Sequence, residues 1–204
     1  MNLYKKFHAW ALAKFNEKYE RLIYERKRQL FDDLSGVVVE IGPGSGPNLK
    51  FLSKEITWIG FEPNLYSHSY IIKEAARLEM RSIEIRELSA ERLPLDDNSV
   101  DAVISTLVLC TVPIQTVTLS EIHRVLKPGG KFIFIEHVAA PEGSFMRRFQ
   151  SFIKPFWKII AAGCHPDRET FMAIRAANFS DVQGECFHVY NTFVSPHIAG
   201  VARK

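Results

Sequence analysis

Cysteine is scarce in this 204-residue chain, and long apolar runs are absent. The three cysteines, Cys110, Cys164 and Cys186, are scattered and odd in number, which excludes a disulfide framework and a CxxC metal site and suits a reducing compartment. No apolar run reaches about 18 residues, so no transmembrane helix is expected. Charged and polar side chains interrupt residues 1–12, which therefore lack the apolar core of a signal peptide. We expect a cytoplasmic location, which is compatible with peripheral contact to a membrane surface.

Positive charge is concentrated in the first 30 residues. This segment holds eight Lys/Arg and three Asp/Glu, whereas the other 174 residues hold 18 basic and 20 acidic residues. The net charge of +3 therefore comes from the N-terminal segment alone. A nucleic-acid surface needs a basic face on the body of the protein. We therefore expect no nucleic-acid partner, and nothing in the sequence indicates an obligate protein partner.

Residues 3–31 carry the pattern of one long amphipathic helix. Apolar side chains recur three and four positions apart with lysine and arginine between them, and no proline interrupts them. One interpretation is a helix that packs on the body, as a lid over a pocket. The other is a basic helix on a membrane surface, with residues 1–33 as the contact. The apolar side chains that could enter the membrane interface are Leu3, Phe7, Trp10 and Phe15.

Beyond residue 33 the pattern alternates between strands and helices. Strands are predicted at 37–41, 57–61, 82–86, 100–105 and 131–136. Helices are predicted between them at roughly 46–54, 66–80 and 114–126. The last helix ends at residues 127–130, whose Lys-Pro-Gly-Gly sequence is typical of a helix stop and turn. This alternation predicts that residues 34–204 form an α/β domain with a mostly parallel sheet and helices on both faces.

The C-terminal part departs from the alternation. Two strands are predicted at 185–190 and 196–202 with no helix between them, as an antiparallel hairpin at the edge of what is then a seven-stranded sheet. Residues 141–163, which precede them, form an aromatic-rich insertion. We expect the ends of the fourth and fifth strands, the N-terminal helix and this insertion to wall a pocket for an apolar guest. The aromatic residues expected there are Trp10, Phe15, Phe145, Phe149, Phe152 and Trp157.

A glycine-rich turn follows the first strand, with the sequence Glu40-Ile41-Gly42-Pro43-Gly44-Ser45-Gly46-Pro47. Glycine permits positive φ and close approach of a ligand, and the N-terminus of the helix expected next would present free N–H groups. The dinucleotide fingerprint G-x-G-x-x-G needs a glycine where this chain has Pro47, and Glu40 would lie near a pyrophosphate. The loop therefore fits a ligand that carries an amine better than it fits NAD.

An acidic residue ends the second strand. Glu62 follows Gly42 by 20 residues, and an acid at this place can accept hydrogen bonds from two ribose hydroxyls. The glycine loop is a weak signal by itself. With this acid and with strands at the right spacing on both sides, it becomes a strong indication of a nucleoside-containing cofactor.

These residues resemble the class I S-adenosylmethionine-dependent methyltransferases, over about residues 34–138. The glycine loop matches the first motif of that family, Glu62 its ribose-binding acid, and residues 88–94 the segment beside adenine, in which Ser89 replaces the usual aspartate. The resemblance implies a Rossmann-like fold with S-adenosylmethionine as the cofactor. The cofactor-binding residues that it implies are Glu40, Gly42, Pro43, Gly44, Gly46, Asn48, Glu62, Pro63, Asn64, Ser89, Ala90, Glu91, Thr106 and Leu107.

A closer resemblance, to the methyltransferase-like 7 family, lies in residues 106–112, 136–139, 168–170 and 195–198. Members of that family are thiol S-methyltransferases attached to membranes of the endoplasmic reticulum and lipid droplets. Their apolar N-terminal anchor has no counterpart in residues 1–33. The resemblance implies S-methylation of a small hydrophobic thiol. Methylation of carbon or nitrogen on a quinone precursor or lipid, a non-catalytic cofactor-binding module and a nicotinamide oxidoreductase stay open as alternatives.

His137 is the residue that we expect to act as a base. It follows the fifth strand at the cleft end of the sheet, and a thiol acceptor must lose its proton because the thiolate is the nucleophile. The alternative is a structural histidine held by hydrogen bonds. His197 and Cys110 are secondary candidates. Cys164 and His165 provide two adjacent ligands without a second cluster, so no metal is expected.

Overall fold

The computed structural model describes residues 2–189 and 196–204. These residues contain a seven-stranded sheet in the order β3-β2-β1-β4-β5-β7-β6. The strands β1 to β5 are parallel to one another, and β7 runs antiparallel to both β5 and β6. The strand bounds are β1 Val37–Ile41, β2 Thr57–Phe61, β3 Ser82–Arg86, β4 Val100–Thr106, β5 Leu126–His137, β6 Asp181–His188 and β7 Pro196–Arg203.

Helices cover both faces of the sheet, as the sequence predicts. In β1, Val39 and Ile41 belong to the apolar cluster that includes Leu119 of the α5 helix on one face. Val38 points to the other face, where it joins the cluster that contains Ile71 of α4. The helix bounds are α1 Leu3–Phe15, α2 Glu17–Leu22, α3 Tyr24–Phe31, α4 Leu65–Arg77, α5 Gln115–Val125, α6 Phe145–Ile160 and α7 Thr170–Ala176.

The N-terminal segment consists of three helices, so the prediction of one helix over residues 3–31 is wrong. The turns lie at Asn16 and at Ile23, whose φ of −110° and ψ of 7° depart from helical geometry. Ile23 is fully buried in a cluster with Ile135 of β5 and Ala199 of β7. Packing this side chain against the curved sheet bends the segment, a tertiary effect that overrides the local pattern.

The glycine loop leads into a single 3₁₀ turn, Leu49–Phe51, and not into the helix predicted over residues 46–54. Leu52 is already extended, at φ −98° and ψ 145°, and the tight hydrogen bond from its N–H to the Leu49 carbonyl is 3.1 Å long. Leu49 and Leu52 are buried against the sheet, and this packing stabilises the short turn in place of a longer helix. A ligand at this loop therefore meets backbone amides and acidic side chains, and not the N-terminus of an α-helix.

The strand β5 begins earlier than predicted, at Leu126. Residues 127–130, predicted to be a stop and turn, belong to its irregular start: Leu126 pairs with Val100, and the register then shifts so that Lys131 pairs with Ala102. Gly129, at φ +77°, supplies the bend. The predicted C-terminal hairpin is confirmed, although β7 lies inside the sheet and β6 at its edge.

Two residues of the C-terminal predictions lie outside the described residues. They are Tyr190, the predicted end of a strand, and Ser195, part of a family segment.

Candidate active site

A cavity of about 1020 Å³ opens at the carboxyl ends of β1, β2, β4 and β5, the usual place for a ligand in a parallel sheet. The loops after these strands form one side, and α1 with residues 157–164 forms the other. The elements predicted to wall an acceptor pocket therefore do meet here. Every residue predicted to bind the cofactor lines the cavity except Gly46, which turns the loop and packs on Leu49 and Ile71.

The glycine loop has a conformation and a close contact that both require glycine. Gly42 and Gly44 have φ values of +56° and +58°, which L side chains rarely adopt. A Cβ at Gly42 would lie 2.6 Å from Cγ2 of Val108. The Gly44 N–H donates a hydrogen bond of 2.9 Å to Oε2 of Glu62. The loop is thereby fastened to the acid at the end of β2.

Glu62 is an almost buried carboxylate on the cavity wall. Its Oε1 accepts a hydrogen bond of 2.8 Å from the Asn64 N–H, and its Oε2 accepts the bond from Gly44. Burial raises the pKa of Glu62, while the two backbone N–H donors act in the opposite direction. Each oxygen has a second lone pair for a hydroxyl donor. The position of Glu62 fits a ribose.

A second buried carboxylate, Glu40, lies deeper in the cavity. Its Oε1 accepts from Nδ2 of Asn48 at 2.7 Å and its Oε2 from Nε1 of Trp58 at 3.1 Å. Burial raises the pKa of Glu40 to about 7, although these two donors oppose the change. Asn48 also donates to Oγ1 of Thr106 at 3.1 Å. Its own Oδ1 is buried and has no hydrogen-bond partner among the described residues. A carboxylate beside an unused carbonyl oxygen fits an ammonium group, such as the one that S-adenosylmethionine carries.

Glu136 fixes the loop after β4, a role that the sequence did not predict. Its Oε1 accepts from Oγ of Ser105 at 2.6 Å and from the N–H groups of Val108 and Leu109 at 3.0 and 3.1 Å. Burial raises the pKa of Glu136, and these donors oppose the change. The loop places Leu107 at φ +58°, a strained value for this residue type. The sequence did contain one signal for this role. Glu136 is an acid inside the apolar strand β5, and a buried acid must be paired with hydrogen-bond donors.

His137 ends β5 directly opposite His197 of β7, and both line the cavity. The Nε2 atom of His137 lies 3.0 Å from Sγ of Cys164. Hydrogen bonding with Cys110 and with His137 lowers the pKa of Cys164 to about 5, although burial acts in the opposite direction. Burial by itself would lower the pKa of His137, but the contact with Cys164 raises it. The lowered pKa of Cys164 and the raised pKa of His137 both favour a Cys164 thiolate beside a His137 imidazolium.

Cys110 completes a cluster with this pair. One ligand-type atom from each of Cys110, His137 and Cys164 lies within 4.8 Å of the other two, and all three side chains are buried. Two sulfurs and one nitrogen are one donor fewer than a closed structural zinc site has, and as many protein donors as an open zinc site has. No sequence spacing indicates the cluster, because its members come from three separate segments. His197, predicted at the sheet edge, instead lies in its interior beside this group.

The apolar wall differs from the prediction. Only Phe15 and Trp157 of the six predicted aromatic residues line the cavity. Trp10 of α1 does not line the cavity and is exposed. Phe145, Phe149 and Phe152 lie elsewhere because α6 directs much of its aromatic face outward: Phe145 and Phe152 are 83% and 74% exposed. Apolar side chains that do line the cavity include Leu12, Val108, Val112, Ile159 and Ile160.

The chain is similar to known proteins in sequence and in fold. A family model described as a methyltransferase domain matches residues 39–134. Human thiol S-methyltransferase TMT1B is 34% identical, covering 99% of this chain and 88% of the relative. Human thiol S-methyltransferase TMT1A is also 34% identical, covering 98% and 87%. The crystal structure of a geranyl diphosphate C-methyltransferase from Streptomyces coelicolor A3(2), in complex with S-adenosyl-L-homocysteine, matches with a TM-score of 0.73 at 15% identity, covering 92% of this chain and 78% of that chain. This last likeness concerns the fold alone.

Proposed function

Because the chain belongs to the thiol S-methyltransferase family of S-adenosylmethionine-dependent methyltransferases, we propose that it methylates the sulfur of a small, apolar thiol. The observation that carries this proposal is the His137–Cys164 pair, which lies on the wall of a largely apolar cavity. Such a pair can take up the proton of an acceptor thiol and hold a positive charge beside the acceptor thiolate that results.

The cofactor residues divide into three groups in this proposal. Glu62 accepts from the ribose hydroxyls, and Glu40 with Asn48 receives the ammonium group. Ser89, Ala90 and Glu91 line the cavity beyond Glu62 and hold the adenine. Because residue 89 is serine, the contact to adenine depends on the backbone of Ala90 and not on an aspartate side chain.

The chemical task of the protein is alignment and deprotonation. S-adenosylmethionine supplies a methyl group that is already activated on a sulfonium. Holding the acceptor in line with it can contribute about 7–11 kcal/mol. The acceptor proton passes to the His137–Cys164 pair. Before this transfer the pair shares one proton, which is either on Cys164 or on His137. After it, Cys164 is a thiol, His137 is an imidazolium and the acceptor is a thiolate, whose charge the imidazolium stabilises.

A matched panel of thiol, phenol and amine acceptors, incubated with S-adenosylmethionine and followed by mass spectrometry, tests the acceptor class. We expect the thiol to react fastest. Faster methylation of the phenol or amine would reject the thiol assignment and favour the alternative acceptors. Cofactor binding without transfer to any acceptor would favour a non-catalytic module.

The pH profile of the same reaction tests His137. The rate should rise with pH through an apparent pKa below that of the free acceptor thiol, since the pair favours the thiolate. His137→Ala should shift the profile towards the pKa of the free thiol. His123→Ala, on α5 and outside the cavity lining, is the matched control and should leave the profile in place. An unchanged profile in His137→Ala would remove His137 from the reaction.

We also propose that the protein lies on a membrane surface in the cytoplasm, with α1 and α6 as its contact. None of the described helices is long and apolar enough to cross a membrane. The two helices meet at Tyr4, whose hydroxyl donates to the Ile159 carbonyl and accepts from the Ala162 N–H at 3.2 Å. Three free cysteines suit the reducing cytoplasm. This arrangement would place the cavity mouth, which both helices border, next to a store of apolar acceptors.

A further inference from the structure

Two thiols from distant parts of the chain meet on the cavity wall. Cys110 lies in the loop after β4, and Cys164 follows the turn at the end of α6. The His165 N–H donates a hydrogen bond of 2.9 Å to the Cys110 carbonyl and so holds the two loops together. The two Sγ atoms lie within 4.8 Å of each other. Both residues line the cavity, so a small solute can reach them without unfolding.

The two sulfurs have different surroundings. Sγ of Cys164 accepts a hydrogen bond of 3.2 Å from Nε1 of Trp157 and lies 3.0 Å from Nε2 of His137. These contacts stabilise a negative sulfur. Sγ of Cys110 lies 3.4 Å from the Leu107 carbonyl oxygen and close to Sγ of Cys164, and burial raises the pKa of Cys110 well above the ordinary range. A thiolate next to a neutral thiol is the arrangement of an attacking cysteine and a resolving cysteine.

We propose that Cys110 and Cys164 are an oxidisable pair, which a hydroperoxide entering the cavity converts into a disulfide. The Cys164 thiolate attacks one peroxide oxygen, the O–O bond breaks, and the other oxygen leaves as hydroxide, which takes a proton and becomes water. Cys164 is then a sulfenic acid. The sulfur of Cys110 attacks it, the S–S bond forms, and the oxygen leaves as a second water. In total the two thiols lose two electrons and two protons, and hydrogen peroxide becomes two molecules of water.

We infer that the bond needs local movement only. A disulfide needs an S–S separation of about 2.05 Å and a Cα separation of about 4.4–6.8 Å. The backbone hydrogen bond between His165 and Cys110 already holds the two loops side by side. Side-chain rotation can therefore close the gap between the sulfurs. The bond withdraws the Cys164 sulfur from His137 and removes a negative charge from the cavity wall.

Thiol mapping of the full-length protein tests the proposal. The protein is treated with hydrogen peroxide in the presence of a chelator, alkylated, digested and analysed by mass spectrometry. We expect a peptide pair that joins Cys110 to Cys164, a fall from three alkylatable thiols to one, and full reversal by dithiothreitol. Cys164 should react at least about tenfold faster than the exposed Cys186, because the thiolate is the reactive form.

Two variants complete the test. Cys186→Ser is the matched control and should still form the same link. Cys110→Ser should stop at a sulfenic acid on Cys164, which dimedone traps. Cys186 reacting as fast as Cys164, or over-oxidation of Cys164 in the unmodified protein without a link to Cys110, would overturn the proposal. A link from either residue to Cys186 of a second molecule in place of the internal bond would also overturn it.

Discussion

Three buried carboxylates organise the site at the level of single residues. Glu40, Glu62 and Glu136 lie at or next to the carboxyl ends of the parallel strands β1, β2 and β5, and each is held by protein donors that offset part of the cost of burial. The donors also fix the loops that follow the strands. Their positions are therefore set before any ligand binds, which reduces the ordering that binding has to supply.

The sequence predicted some of the side chains at the site and did not predict others. Glu40 and Glu62 could be found because the glycine loop fixes the chain direction after β1, and because a parallel neighbour must end at the same edge. The contact between His137, Cys110 and Cys164 could not be found in this way. It depends on where residues 161–164 run after α6, and no local pattern determines that path.

Removing the carboxylate of Glu62 should weaken cofactor binding. A hydrogen bond to a charged group contributes about 1.5–3 kcal/mol, so Glu62→Ala should reduce the affinity for S-adenosylmethionine at least about tenfold by titration calorimetry. Glu62→Gln keeps an acceptor oxygen, so its affinity for S-adenosylmethionine should lie between those of Glu62→Ala and the unmodified protein. Glu87→Ala, an exposed acid after β3, is the control. Equal affinities for Glu62→Ala and the unmodified protein would exclude Glu62 from the site.

The buried Glu40 should make stability depend on pH. Its pKa is about 7 in the folded protein and about 4.3 when exposed. The folded state thus binds this proton more tightly than the unfolded state. The associated stability is fully present below about pH 4.3, falls as pH rises to about 7 and is then lost, a change of about 4 kcal/mol.

Glu40→Gln should lack this fall. Urea unfolding at several pH values should show the variant gaining stability relative to the unmodified protein as pH rises from about 4.3 to about 7. Glu87→Gln should follow the unmodified protein throughout. Parallel curves for Glu40→Gln and the unmodified protein would show that Glu40 is not the group responsible.

At the level of elements, the strands were easier to predict than the helices. The strands β1, β2 and β4 are buried on both faces, so they read as short apolar runs with clear ends. The breaks at Asn16 and Ile23, and the 3₁₀ turn after the glycine loop, follow from packing against the sheet. The periodicity of apolar residues along the chain does not show how a helix packs against the sheet, so it could not predict these breaks.

A buried ion pair joins α2 to α3. Nζ of Lys27 lies 2.8 Å from both carboxylate oxygens of Glu20, and neither side chain has substantial exposure. Burial lowers the pKa of Lys27, while Glu20 opposes that change. The pair lies directly across the bend at Ile23. It therefore fixes the angle at which the N-terminal helices meet the cavity, which Glu20 itself lines.

Breaking this pair from one side should cost more than replacing both members. Lys27→Met leaves Glu20 buried without its main partner, for which about 3–5 kcal/mol is typical. We expect the lower end in chemical denaturation, since Nζ of Lys50 lies 4.0 Å from Glu20. Lys27→Met combined with Glu20→Leu should recover most of the loss. Arg28→Met, at an exposed pair, should leave the transition midpoint unchanged. Additive losses in the double variant would contradict a coupled pair.

At the scale of the whole molecule, the outer surface that α1 and α6 form together is both apolar and basic. Neither α1 nor α6 contains an acidic residue. The α1 helix carries three lysines and α6 four Lys/Arg residues, of which Arg147 and Lys154 form ion pairs with Glu169 and Asp167. Large apolar side chains on the outside of both helices are more than half exposed. They are Leu3, Phe7 and Phe15 on α1, and Phe145, Phe152, Phe156, Ile159 and Ile160 on α6. Apolar insertion with surrounding positive charge is the composition of an interfacial membrane contact.

Vesicle co-sedimentation tests this face. The protein should bind phosphatidylcholine vesicles that contain phosphatidylserine, bind weakly without it, and release at high salt, because each basic group near an anionic surface contributes about 1 kcal/mol. Phe7→Ser with Phe156→Ser, one position on each helix, should reduce binding at least about tenfold, since burying each phenyl ring contributes about 1.5–3 kcal/mol. Ile114→Ser with Met172→Ser removes apolar side chains outside the two helices that are also more than half exposed, and this pair should leave binding intact. If the two pairs reduce binding equally, the contact is not confined to α1 and α6, and the orientation that places the cavity mouth at the membrane is wrong.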